Sequence, residues 1–180
     1  KVGIIGVIGE GLTSSISAEF VENYKFLDPV PIVERLSSKL RTEELCDVVV
    51  VAIHDYDSST NERFAALSGD SVVDAVLCAH THQRIAESIK RNGEYNLPII
   101  QSNTKNISIG KATLVLDENK DMESYYLDHF KPSIYKEDSS LKSIMDVYYE
   151  VTKIYENEVI GYNKGGFDKK TLGISTMTYV

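Results

Sequence analysis

The chain has 180 residues, with 19 Lys and Arg against 27 Asp and Glu, a formal net charge of −8 at pH 7. Hydrophobic residues make up 42% and charged residues 26%, a globular balance sufficient for one ordinary domain or two small ones. The acidic balance, without any Lys/Arg block, argues against nucleic-acid or anionic-membrane binding, and no apolar run approaches the roughly 18–20 residues of a membrane span.

In chain order, Lys1–Ile8 reads as a buried strand rich in Ile and Val, broken at Gly9–Gly11. It is too short and too Gly-rich for a signal peptide. With no initiator Met, the gene product is expected to start upstream. Leu12–Asn23 is a polar connection with helical character near Ala18–Glu22, and Tyr24–Leu27 is expected to form a short strand. Asp28-Pro29 is a helix start, Asp capping and Pro at the first position, where no N–H donor is needed. Val30, Val33, Leu36 and Leu40 follow at helical spacing, so Pro29–Arg41 reads as an amphipathic helix.

Asp47–Ile53 (DVVVVAI) is a continuous β-branched run, the pattern of a strand buried on both faces. Thr60–Leu67 reads as a short helix, Gly69–Ser71 as a turn and Ser71–Ala79 as a second buried strand. Gln83–Lys90 fits a strand or a helical turn. Asn92-Gly93 signals a turn before a strand at Leu97–Gln101. Ser108–Asp117 alternates as a half-exposed antiparallel strand does, with Met122–Phe130 as its hairpin partner. Composition changes near Pro132, and Ser139–Tyr155 reads as a helix capped by Ser139 or Ser140, with a loop at Gly161–Gly166 beyond it. Cys46 and Cys78 make no disulfide framework and read as small buried hydrophobes.

Three of the four histidines group by position. His54 follows one apolar strand, and His80 and His82 follow the next. In layered α/β folds ligands bind at the C-terminal ends of strands, and imidazole suits zinc, iron and manganese. Asp55 and Asp57 are either nearby ligands, partners that orient an imidazole, or solvated loop carboxylates. His129, among aromatic residues in the late hairpin, reads as structural. There is no Gly-x-Ser-x-Gly elbow, P-loop or GxGxxG, and neither cysteine adjoins a histidine.

The order of these features resembles the second half of the calcineurin-like metallophosphoesterase domain, in its 5′-nucleotidase and 2′,3′-cyclic-nucleotide phosphodiesterase branch. The resemblance is carried by VGIIGV at Val2–Val7, Phe26-Leu27-Asp28-Pro29, the strand ending in His54, Ala79-His80-Thr81-His82, Ile99-Ile100-Gln101, Ile109-Gly110-Lys111 and Glu158-Val159-Ile160-Gly161. It implies an α/β (α+β layered) fold: a partial four-layer αββα sandwich, second half only, plus a C-terminal linker helix. Residues 1–135 would be the C-terminal half of the phosphoesterase domain, and residues 136–180 the linker helix and the start of a C-terminal nucleotidase domain.

The resemblance also implies metal-dependent hydrolysis of nucleotide phosphoesters, with two divalent ions (Zn, Mn, Fe, Mg or Ca) clamping the phosphate during in-line attack. His54 and His80 would ligate one ion and His82 the other, with Gln101 and Asn103 near the substrate in a supporting role. The family's Asp-x-His, Gly-Asp-x-x-Asp and Gly-Asn-His segments have no equivalent here. No catalytic residue is therefore expected in this chain, the missing half should leave an open sheet face, and the chain alone should be inactive. Ala79 and Asp55-Tyr56 depart from the family pattern, which motivates a rival reading as a non-catalytic binding or scaffold module. A mononuclear metallohydrolase using His80 and His82 is a weaker third reading. Asn106-Ile107-Ser108 is an N-glycosylation sequon.

Overall fold

The computed structural model of the chain describes residues 1–91, 95–104 and 107–159. The Asn92-Gly93 turn, the sequon at Asn106 and everything from Ile160 onward lie outside the described residues. The chain divides into two compact units, Lys1–Tyr135 and Lys136–Val180.

In the first unit, β1 (Val2–Ile8) leads through a 3₁₀ turn at Glu10–Ser15 and the short helix α1 (Ala18–Val21) to α2 (Pro29–Thr42). Then come β2 (Val48–His54), α3 (Ser58–Ala65), a 3₁₀ turn at Gly69–Ser71, β3 (Ala75–Cys78), β4 (Ile85–Ile89), β5 (Leu97–Gln101), β6 (Ile109–Leu116) and β7 (Met122–Phe130). Both longer helices start at an aspartate that satisfies an orphan N–H. The Asp28 carboxylate accepts from Val30 N at 3.0 Å, and that of Asp57 from Thr60 N at 2.7 Å.

Two expected strands differ. Tyr24–Leu27 is a loop, with Tyr24 at 70% and Leu27 at 55% exposure, and it pairs with no strand. The strand expected at Ser71–Ala79 forms only over Ala75–Cys78. The carbonyls of Val72 and Val73 are taken by the guanidinium groups of Arg41 and Arg91 instead of a neighbouring strand.

Five strands form one sheet in the order β1-β2-β3-β5-β4. β1, β2, β3 and β5 run parallel, and β4 lies antiparallel on β5 at the edge. Strand side chains alternate between faces. One face packs Ile5, Val49, Val51, Ile53, Val76 and Ile99 against Val30 and Val33 of α2 and Phe64 of α3. Val33 and Phe64 are fully buried, and each such side chain contributes about 1.5–3 kcal/mol.

The opposite face is open over much of its width. Val2 is 60%, Ile4 70% and Leu77 41% exposed. β2 is accordingly fully buried on one face, while on the other Val48 is buried, Val50 and Ala52 are half-buried and His54 is exposed, unlike the run buried on both faces that its composition suggests. The row Gly6–Ala52–Leu77–Ile100 crosses this face. Gly6 and Leu77 are exposed, while Ile100 is 3% exposed. The difference is the β6–β7 hairpin, a separate two-stranded sheet seated on Ile100. Gly110 of β6 permits this approach, since a Cβ there would lie 2.8 Å from Ile100 Cγ1. The hairpin is thus a second layer over one end of the sheet.

A buried carboxylate closes the N-terminal end of the sheet. Asp74 is 4% exposed and accepts from Val49 N and Arg41 Nη2, each at 2.6 Å, and from the Tyr95 hydroxyl at 3.2 Å. In the second unit, α4 (Ser139–Glu156) is capped by Asp138, which accepts from Ser140 N and Leu141 N. A carboxylate with two acceptor oxygens takes the role expected of Ser139 or Ser140. Among the described residues no helix is long and apolar enough to cross a membrane.

Candidate metal centre

His54 is the last residue of β2, and His80 lies two residues beyond the end of β3. The two strands are parallel neighbours, with Ile53 beside Cys78, so both deliver an imidazole at the same sheet edge. The rings of His54 and His80 stand 5.2 Å apart between centroids, inclined at 68°. His54 also lines an open groove with Gly6, Ile8, Ala52, Leu77 and Ala79 on the uncovered face.

The backbone carrying His80 and His82 is strained. Both residues have positive φ, 73° at His80 and 57° at His82. Side chains other than Gly rarely adopt this region, at a cost of about 1–3 kcal/mol each. Thr81 N donates to Ala79 O at 2.9 Å, closing a three-residue turn about His80. Such strain persists only where surrounding contacts fix it, and several do. Ala79 N donates to Asp55 O at 3.4 Å, tying the two histidine-bearing loops together. Gln101, 2% exposed at the end of β5, donates from its amide nitrogen to Thr81 Oγ1 at 2.8 Å and to Gln83 O at 2.9 Å.

The loop after His54 is equally anchored. Asp55 packs against Gly9, where a Cβ would fall 1.9 Å from the carboxylate. Tyr56 donates from its hydroxyl to Glu87 on β4 at 2.7 Å, and burial first, with this bond second, pushes the phenol up to about 12. Asp57 is committed to capping α3. Cys78, between the two strand ends, is pushed up to about 12, chiefly by burial. Both cysteines are free and buried, as expected. Asn103 accepts from Thr104 N at 2.7 Å in a local turn. His129 donates from Nε2 to the Gln101 carbonyl at 2.8 Å.

The donor chemistry fits part of a divalent-ion shell: two neighbouring imidazoles on anchored loops. Among the described residues no group of three or more His, Cys, Asp or Glu gathers in metal-binding reach, so His82 does not join the pair. The sequence pointed to the histidines by their strand-end positions. It carried no signal for the Tyr56–Glu87 bond or for the left-handed backbone.

No family model matches the chain. It is 27% identical over 199 residues to an apyrase of Tabanus yao, covering 97% of this chain and 34% of that protein. Its fold is similar to the crystal structure of a 5′-nucleotidase precursor from Thermus thermophilus, with a TM-score of 0.63 and 16% identity over 76% of this chain and 29% of that one. It is also similar to a structure described as a 5′-nucleotidase from Staphylococcus aureus, with a TM-score of 0.54 and 19% identity over 83% of this chain and 31% of the other. The chain spans about a third of the length of these relatives. The mixed α/β fold expected from the resemblance is the one found: it is shared with part of these 5′-nucleotidases.

Proposed function

We propose that the protein containing this chain hydrolyses nucleotide phosphoesters with the help of divalent metal ions. In this reading His54 and His80 are two ligands of one ion, and His82 is a ligand of a second. The observation that carries the proposal is the juxtaposition of His54 and His80 at the C-terminal edge of two parallel strands, one of them on a strained turn. The likeness to an apyrase and to 5′-nucleotidases supports the substrate class.

The ions, when bound, supply positive charge for the phosphate that an acidic chain does not. The chain's own residues hold and aim the ligands: Asp55 and Tyr56 fix the first loop, and Gln101 braces the second. The remaining ligands and the proton donor for the leaving group come, in this reading, from sequence outside these residues. The uncovered sheet face beside β1 is where that part of the domain packs. These 180 residues alone are then inactive, or nearly so.

The test is hydrolysis by the full-length gene product of a nucleoside monophosphate, a nucleoside diphosphate and a 2′,3′-cyclic nucleotide, with Mn²⁺ or Zn²⁺ added or removed by chelation. Metal-dependent turnover lost in His80→Ala supports the proposal. A folded full-length protein without turnover on any of them favours the scaffold reading, and strong turnover by the isolated chain removes the need for outside ligands.

A further inference from the structure

We propose that Gln101 is a positioning residue: its buried side-chain amide holds the His80–His82 loop in the left-handed backbone that aims the imidazoles, and His129 of the second sheet holds Gln101 in turn. This rests on the metal reading above and adds to it the residues that set the geometry of the ligands.

Gln101 stands next to Cys78 in the sheet, where β3 gives way to the loop. Its amide nitrogen has two N–H donors, and both are used: one meets Thr81 Oγ1 at 2.8 Å and the other Gln83 O at 2.9 Å. These partners flank His82. The Thr81 hydroxyl also reaches Gln101 Oε1 at 3.2 Å, so it meets both ends of the amide. His80 and His82, at φ of 73° and 57°, alternate with the residues so held. A loop in this conformation relaxes unless something fixes it. The Gln101 side chain, 2% exposed, bonds it from beneath at two successive odd positions.

Gln101 is itself fixed from the second layer. His129 lies opposite Gly110 in the hairpin, and its Nε2 donates to the Gln101 carbonyl at 2.8 Å. The missing side chain at Gly110 lets the hairpin settle on Ile100, the residue before Gln101. The seat of the hairpin is therefore transmitted through His129 and Gln101 to the loop. His129, on the second sheet, thus acts on the site through Gln101.

The experiment is titration of the metal-free full-length protein with Co²⁺, read by visible absorption, alongside thermal unfolding of each variant. Gln101→Met keeps the volume and removes both donors; Thr81→Val keeps the shape and removes the hydroxyl; Thr81→Ser keeps the hydroxyl. Gln101→Met and Thr81→Val are expected to weaken Co²⁺ binding by roughly 10-fold or more and to alter the absorption bands, the usual effect of losing an outer partner of a ligand. Thr81→Ser is expected to restore both to within about 2-fold of the wild type, and His129→Ala to shift them in the direction of Gln101→Met. Should Gln101→Met fail to fold, the Thr81 pair carries the test. A purely structural role would lower the unfolding temperature and leave affinity and spectrum as they were. Wild-type Co²⁺ binding that depends on His80, with unchanged affinity and bands in Gln101→Met and Thr81→Val, would overturn this proposal alone. Absence of Co²⁺ binding by the wild type would overturn the metal reading and this proposal with it.

Discussion

The imidazoles of His54 and His80 meet edge to face, 5.2 Å apart at 68°, although 26 positions of chain and a helix separate them. Two parallel strands ending at the same level bring them together. If they serve one ion, their losses do not add. His54→Ala and His80→Ala should each weaken Mn²⁺ or Co²⁺ binding to the full-length protein by roughly 10–100-fold or more. The double variant should lose little beyond either. Additive losses in a titration would assign them to separate ions.

Asp74 is the acceptor for a backbone N–H of β2, a guanidinium and a phenol at once. Asp74→Ala leaves Arg41 and Val49 N without that partner. The expected loss is about 3–5 kcal/mol in chemical denaturation, because an uncompensated charge remains. Asp74→Asn keeps acceptor capacity and should lose less. The network lies at the N-terminal end of the strands, away from the histidines, so metal affinity of any folded variant should be unchanged.

Asp28 caps α2 and is bonded bidentately by Arg63 at 3.1 and 2.6 Å. The Arg63 bond first, and the Val30 N–H second, hold its carboxyl below the ordinary value of 3.8. A lowered carboxylate pKa contributes stability that is complete above the unfolded value and is lost as pH falls through the folded one. Because the pair is largely exposed, solvent screening keeps the contribution small. Arg63→Ala should therefore lower stability slightly at pH 7, and the difference from wild type should shrink on acidification below pH of about 4. Equal differences at both pH values, measured by urea unfolding, would contradict this.

Gly110 determines how closely the second layer approaches the first. Gly110→Ala places a methyl 2.8 Å from Ile100 Cγ1 and 3.0 Å from its Cδ1. Overpacking of this kind costs about 1–3 kcal/mol. Ile100→Ala removes both colliding atoms, so the double variant should lose less than the sum of the two singles. A double-mutant cycle in denaturant reads the coupling directly.

The open sheet face supplies a different contrast. Ile4 is 70% exposed in these residues. Ile4→Lys should change the stability of the isolated chain by less than about 0.5 kcal/mol. In the full-length protein, where this face packs against the rest of the domain under the proposed reading, the same change should cost more than about 2 kcal/mol. Equal effects in the two backgrounds would show that the face stays open.

Much of this fold is legible in the sequence because the apolar runs carry their own period. The strands at Val2–Ile8, Val48–His54 and Leu97–Gln101 and the helix from Asp28-Pro29 follow from β-branching, capping and spacing. The errors have local causes. Val72 and Val73 look like strand residues, but arginine side chains claim their carbonyls. Tyr24–Leu27 has β-like composition but stays exposed and unpaired, with Tyr24 and Leu27 burying no face. The three histidines stand out by position, but the approach of His54 to His80 depends on sheet order and on a positive φ, neither of which is written in residue type. Gln101 is the clearest case. Residue type alone does not show that its side chain is buried and donates to Thr81 Oγ1 and Gln83 O.

The most direct test of the central proposal is anomalous diffraction from crystals of the full-length protein grown with Mn²⁺ or Zn²⁺. The expected result is an ion within about 2.0–2.2 Å of one ring nitrogen of His54 and one of His80, with a second ion beside it on His82. An ion bound elsewhere, with the imidazoles of His54 and His80 free of it, would contradict the proposal.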